Sequence, residues 1–278
     1  MFTYLLKSFQ RKLARRFTRK HPTEVDVFDI PGAGQVRFAN WNNPLVEKKV
    51  LSAETVGFFQ QFLRPGDMAI DIGANIGHMT VQMALATSHD GLTLGFDPNP
   101  YVFEILSENA TLNPGIGRIV PYSLAITDHD ADFFYHSSEA SFNNGGISAT
   151  GASKHGKFAL EHKVQGVNLE AFLKREHSGE LGKLRLIKID TEGYDKEIIR
   201  SIAGLLTTYR PVLLSECFGR NTKAEKFEQF ELVRSLGYSL HYVSDFSTDA
   251  EVVAITKKED MLKWKHFDFY AIADVKKS

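Results

Sequence analysis

Two carboxylates and a pair of glycines stand where chemistry could be done. The run DIGANIG, residues 71–77, ends a short apolar segment and opens a helical one, and ligands in open α/β sheets bind at the carboxyl ends of strands. Gly73 and Gly77 carry no Cβ, so the backbone there can turn sharply and let a ligand lie against it. Their spacing is G-x-x-x-G, not the G-x-G-x-x-G of a nicotinamide fingerprint. A pyrophosphate needs several free amides at a helix N-terminus, whereas a sulfonium amino acid needs a carboxylate, and Asp71 supplies one. Asp97, in GFDPNP, follows Gly77 at the offset typical of ribose-binding acids. One carboxylate there can accept hydrogen bonds from both ribose hydroxyls. The same residue also suits an N-cap ahead of Pro98 at N1, and the two roles are compatible.

The third cluster is LIKIDTEGYD, residues 186–195, in which a strand read as fully apolar ends in Asp190 and delivers Glu192 just beyond. If this strand neighbours the first, both acids face the DIGANIG cleft. Asp195 suits a cap and Glu192 the positive end of the next helix, but packing explains Asp190 poorly. Among the histidines no HExxH spacing occurs. His78 reads as a helix-face residue. His136 and His155 flank a polar stretch, and nothing singles them out.

The elements that must position these residues alternate. Residues 68–71 read as a strand, and the helix after them carries Met79, Val81, Met83 and Leu85. Residues 92–96 read as a second strand, before a helix with Val102, Ile105, Leu106 and Asn109 at i, i+3, i+4, i+7. Residues 119–126 read as a third strand and 184–189 as a fourth. One helix then places Ile198, Ile199, Ile202, Leu205 and Leu206 on a face, and Pro211 opens a fifth strand over 212–217. This order predicts right-handed βαβ units and a mostly parallel sheet covered on both faces. A helix over 227–236 and strands near Tyr238 and Phe267 predict an antiparallel finish. Upstream, residues 25–39 read as a hairpin around PGAG, and Leu51, Thr55, Phe58, Phe59 and Phe62 share a helix face. Residues 137–157, rich in Ser, Gly and Asn, depart from the pattern, and a connection this long and polar is usually either functional or disordered.

Composition bounds the rest. With 278 residues and 43% hydrophobic content the chain can bury one large core. The net charge of −1 is unevenly spread: residues 1–21 carry Lys7, Arg11, Lys12, Arg15, Arg16, Arg19 and Lys20 with no acid. A basic arm on an acidic body argues against a nucleic-acid binder. Pro22 divides this arm from a body of residues 22–278. Phe2, Leu5, Leu6, Phe9, Leu13 and Phe17 form a helical stripe on the arm, the recipe for peripheral contact with a membrane interface. The same stripe suits packing on the body or on a partner. Cys217 stands alone, which excludes an internal disulfide and fits a reducing, cytoplasmic setting, where the basic arm could bring the protein to the inner membrane surface. No apolar run approaches a spanning length, and the first residues do not read as a secretory signal.

Taken together, RPGDMAIDIGANIGHMT, FDPNPYVFEILSENATLN, VNLEAFL, LRLIKIDTEGYDKEIIRSI and RPVLLSEC resemble the FkbM-type family of S-adenosylmethionine-dependent methyltransferases, over residues 51–217. The order and spacing of these pieces make the likeness specific. Two positions depart from the family: Asp97 replaces its usual Glu, and Asn168 its usual Thr. The resemblance implies a doubly wound, mostly parallel Rossmann-like methyltransferase sheet with an antiparallel C-terminal strand and helices on both faces. It implies S-adenosylmethionine as cofactor, with Asp71, Gly73, Asn75 and Gly77 along its methionine half and Asp97 on its ribose. Residues 123–126, Ala125 among them, would approach the adenine. The implied reaction is O-methylation of a sugar, glycan or secondary metabolite.

Such a reaction needs the acceptor oxygen in line with the methyl–sulfur bond and a base within reach of its proton. Glu192 is the first candidate base, with Asp190 as alternative base or orienting group. Glu216 with Asp190 could hold a magnesium ion, as in catechol-type O-methyltransferases, but carboxylates pair without a metal more often and no metal ligand is assigned. Two other classes remain open. An N-methyltransferase is disfavoured because DTEGYD stands where an Asn/Asp-Pro-Pro-aromatic motif is expected. A cofactor-binding scaffold without activity is disfavoured by the intact acids.

Overall fold

The fold is that of a computed structural model, which describes residues 2–151 and 156–275, with side chains from Ser8 onward. Helix α1 (Phe2–Ala14), the hairpin β1 (Thr23–Ile30) and β2 (Gly34–Trp41), and helix α2 (Ala53–Gln60) come first. The alternation follows: β3 (Met68–Ile72), α3 (His78–Thr87), β4 (Leu92–Phe96), α4 (Pro100–Thr111) and β5 (Ile119–Tyr122). An insertion carries β6 (Ala125–Thr127), β7 (Ala131–Ser137), β8 (Gly146–Ser148), β9 (Phe158–Ala159) and β10 (Val164–Asn168). After it come α5 (Leu169–Glu176), β11 (Leu184–Ile189), α6 (Asp195–Ser201), α7 (Ala203–Tyr209) and β12 (Val212–Cys217). The chain ends through α8 (Lys223–Ser235), β13 (Tyr238–Val243), β14 (Val252–Ile255) and β15 (Phe267–Ala273).

Among the described residues, the main sheet has the order β14-β13-β15-β12-β11-β3-β4-β5. Its strands from β5 to β12 are parallel, and β15 runs antiparallel between β12 and β13. The expected parallel sheet with an antiparallel finish is therefore present. All five residues of β3 and of β4 are buried, as a sheet covered on both faces requires. Ile70, Ile72, Leu94, Ile187, Ile189 and Leu213 fill one side. Ala69, Leu186 and Leu214 meet Phe58 and Phe59 of α2 on the other. Each fully buried side chain of this size contributes on the order of 1.5–3 kcal/mol.

Several expectations are corrected. The strand read over 119–126 is two strands, because the chain leaves the main sheet after Tyr122 and β6 joins a second sheet beside β10. The polar stretch 137–157 is no plain loop: β8 pairs with β7, and Phe142 is buried. Its residues 152–155, His155 included, lie outside the described residues. The helix read through Ile198 and Leu206 breaks at Ile202, which leaves helical geometry (φ −103°, ψ 14°). All five of its apolar residues are buried nonetheless. Pro98 is not at a helix start. The cap of α4 is Asn99, whose side chain accepts from the Tyr101 amide, and Pro100 takes the position after it.

Candidate functional site

Strand β3 has β4 on one side and β11 on the other, so the chain's winding reverses there, and ligand crevices in such sheets open at this switch point. The turn out of β3 is closely constrained. Gly73 has φ 79°, its amide donates to the Phe96 carbonyl at 2.9 Å, and a Cβ on it would overlap the Asp190 carbonyl oxygen. Only glycine lets the turns after β3 and β11 touch. Asn75 is also left-handed (φ 51°). Its amide donates to Asp97 Oδ2 at 2.8 Å, and its side-chain oxygen accepts from the Ile76 amide at 2.8 Å.

A cavity of about 490 Å³ opens above this turn, lined by Asp71, Gly73, Asn75, Asp97, Ala125, Asp190 and Glu192. That volume suits one small-molecule cofactor. Gly77 does not line it. Its φ of 88° and a Leu106 Cδ1 that would stand 2.9 Å from an added Cβ give it a conformational role at the start of α3. Asp97 is buried and accepts from the amides of Asn75 and of Asn99, the latter at 2.9 Å. Burial pushes its carboxyl up to about 6, against the pull of those two amides. Each carboxylate oxygen keeps a second lone pair for a ligand hydroxyl.

Lys188 is the residue that the sequence reading missed, hidden in what was read as a fully apolar strand. It is buried, with Nζ 3.4 Å from Asp71 Oδ1 and 3.1 Å from Asp190 Oδ2. Burial opposes its charge, but Asp190 and Asp71 more than offset this and hold its pKa above the usual lysine value. Thr80 Oγ1 donates to Asp71 Oδ2 at 2.6 Å. Asp71 is therefore hydrogen-bonded at Oδ2 alone, its buried Oδ1 having Lys188 beside it but no hydrogen bond, whereas the Asp190 side chain remains 44% exposed. The signal for Lys188 was a lone cation at an inward position between two strand-end acids.

Carboxylates crowd the tips of the next strands. Glu192 is exposed, with a left-handed backbone (φ 53°). The cleft walls and then Asp190 raise its carboxyl above the usual range, while Arg220 opposes the rise. Glu216 and Asp268 are register partners on β12 and β15. Burial first, and then Asp190, pushes Glu216 up to about 9 and Asp268 up to about 6. Asp195, fully enclosed and again beside Asp190, is pushed up to about 7. Its Oδ2 accepts from the Gly193 amide at 3.2 Å. Of the shifted carboxylates, Asp97 and Glu192 line the cavity, and perturbed carboxylates in a cleft are candidates for function.

Glu216 and Asp190 do not fit a magnesium ion. Lys188 already occupies one oxygen of Asp190, and His266 Nε2 stands 2.9 Å from Glu216 Oε1. Among the described residues, no group of three or more His, Cys, Asp or Glu side chains is placed to hold a metal. His78 Nε2 lies 2.8 Å from the Val50 carbonyl oxygen, and burial lowers its pKa. That contact gives the ring a structural partner. Asn168 caps α5 by accepting from the Ala171 amide, which explains how Asn serves where the family has Thr.

A parallel sheet in this order, with an antiparallel strand slotted near its end and a cavity at its switch point, is the Rossmann-like methyltransferase fold. The family model of the methyltransferase FkbM domain matches residues 71–240, and the chain belongs to that family of S-adenosylmethionine-dependent methyltransferases. A hexuronic acid methyltransferase, AglP, of Haloferax volcanii is 26% identical over 151 residues, covering 53% of this chain and 55% of its own. The chain thus spans about half the length of the curated relative it matches. An FkbM methyltransferase from Methylobacillus flagellatus is 11% identical with a TM-score of 0.45, over 78% of this chain and 50% of that one. A SAM-dependent O-methyltransferase from Thermotoga maritima is 11% identical with a TM-score of 0.45, over 92% of this chain and 80% of that one.

Proposed function

We propose that this methyltransferase moves the methyl group of S-adenosylmethionine to a hydroxyl of a sugar or glycan. The observation that carries the reading is the pairing of a nucleoside-suited carboxylate, Asp97, with a second acidic group, Asp190 and Glu192, across one cavity. Gly73 leaves room against the backbone, Asp97 meets the ribose hydroxyls, and Ala125 offers the adenine an apolar wall. Asp71, with Asn75 beside the turn, borders the methionine half, and the exposed side of Asp190 meets its amine. When bound, the cofactor supplies a methyl already activated by its sulfonium charge.

The chain's own residues then hold the acceptor and take its proton. Lys188 Nζ donates to Asp190 Oδ2 at 3.1 Å, which fixes that carboxylate in place as an orienting group. Glu192 is the better base, since the raised pKa brings a carboxylate closer to the operating pH. Its side chain lines the cleft. Asn143 and Asn144, with the turn before β8, form the polar wall opposite and suit the hydroxyls of a sugar. The relative named for hexuronic acid supports a sugar acceptor, and the single cysteine supports a reducing, cytoplasmic setting. Glu192→Gln should leave S-adenosylhomocysteine affinity near wild type while turnover falls by roughly 10²–10⁴. Full turnover in that variant would move the base elsewhere.

A further inference from the structure

The N-terminal helix divides its cations between two faces. On the inner face Ala14 is buried, and the Arg15 carbonyl accepts from the Ala140 amide at 3.3 Å. Arg15 Nε stands 3.5 Å from Glu139 Oε1, and Arg11 Nε donates to the Pro44 carbonyl at 3.2 Å. The helix is thereby fixed to the segment that runs on into the polar wall of the cleft.

The outer face is different. Phe9, Leu13 and Phe17 are 60%, 39% and 63% exposed. They follow one another at i, i+4 and i+8, and the Phe17 amide donates to the Leu13 carbonyl at 2.9 Å, so the helical turn extends that far. Helical spacing sets Lys12 and Arg16 along the edge of this stripe, and neither makes an ion pair among the described residues. A lone exposed apolar side chain is ordinary; a stripe rimmed by unpaired charge of one sign marks an interaction surface. An anionic bilayer satisfies both parts at once, because the rings enter the acyl boundary while the cations meet lipid phosphates. A second copy docked by the same face across a two-fold axis would bring like charges together.

We propose that α1 docks the protein peripherally on an anionic membrane surface, with Phe9, Leu13 and Phe17 inserted and Lys12 and Arg16 on the phosphates. That the docked cleft then meets sugars borne at that surface rests on the methyltransferase reading; the docking itself does not.

The test is co-sedimentation of the full chain with phosphatidylcholine vesicles and with vesicles of equal phosphatidylcholine and phosphatidylglycerol. The chain should pellet with the anionic vesicles at low salt, far less with the neutral ones, and less again as salt rises. Phe9→Ser with Phe17→Ser, and Lys12→Gln with Arg16→Gln, should each weaken binding by about tenfold or more. Melting temperature and S-adenosylhomocysteine binding, measured on the same samples, should stay at wild type. The second of these tests the cofactor reading separately. A wild-type chain that stays in the supernatant with anionic vesicles overturns the proposal, as do variants that bind like wild type. Light scattering that shows a dimer dependent on Phe9 and Phe17 would assign the stripe to a second copy instead.

Discussion

Lys188 and Asp97 set the electrostatics of the cleft, and both can be tested singly. Lys188 stands between Asp71 and Asp190 with no other cation as close. Removing one member of a buried ion pair leaves its partner charged and unpaired, typically at about 3–5 kcal/mol. Lys188→Met should therefore lower stability by about that much in denaturant titration, even though the methionine fits the space. A loss near zero would mean that Asp71 finds water or a proton instead. Asp97 has an ordinary pKa of 3.8, raised to about 6 in the folded chain, chiefly by burial. The sign follows directly: below about 6 the carboxyl holds a proton and loses acceptor capacity for the ribose. Affinity for S-adenosylhomocysteine should fall as pH drops through that value. The raised pKa also means that ionised Asp97 opposes folding, an effect absent below the unfolded value and complete above about 6. Asp97→Ala should weaken cofactor binding by about 1.5–3 kcal/mol and abolish the pH dependence. Calorimetry that finds neither would remove Asp97 from the site.

At the scale of elements, the turns carry the specificity and the strands carry the stability. Asn168 shows how a local rule survives a substitution: it ends β10, caps α5, and its Nδ2 donates to the Asp128 carbonyl at 3.1 Å. Asn168→Thr should be nearly neutral to melting, whereas Asn168→Ala should cost about 0.5–2 kcal/mol. Equal losses in both would make the Asp128 contact, and not the cap, the stabilising one. The strands β3 and β4 were legible in the sequence as short apolar runs, α4 by its 3.6-residue period, and α3 by its place after the glycine turn, since it is buried nearly all round and shows no helical period. The insertion between β5 and α5 was not. Its strands are short, and β6 finds its parallel partner β10 only after three others have intervened, which no window of local periodicity reports. The break at Ile202 was hidden for the opposite reason, since the apolar face runs unbroken through it. Among the candidate site residues, Asp71, Asp97, Asp190 and Glu192 were legible as acids at or just past strand ends, and one cavity is lined by all four. Lys188 was masked by its apolar neighbours. The engagement of Asp71 by Thr80 and Lys188 needed the register of β3 against β11 to be seen.

Across the whole molecule, the parallel sheet holds a cofactor-sized cavity at its switch point, and the second sheet adds the turn before β8 to its lining. The N-terminal helix is tied to that same wall. What leaves the cleft is therefore decisive. Purified protein supplied with S-adenosylmethionine carrying an isotope-labelled methyl group, and with a panel of neutral and acidic sugars, gives the direct measurement. Mass spectrometry and carbon NMR of the products should find the label on a sugar oxygen, with S-adenosylhomocysteine formed in equal amount. Glu192→Gln should bind the cofactor and transfer almost none of it. Label appearing on nitrogen, or tight cofactor binding with no transfer to any sugar, would contradict the account.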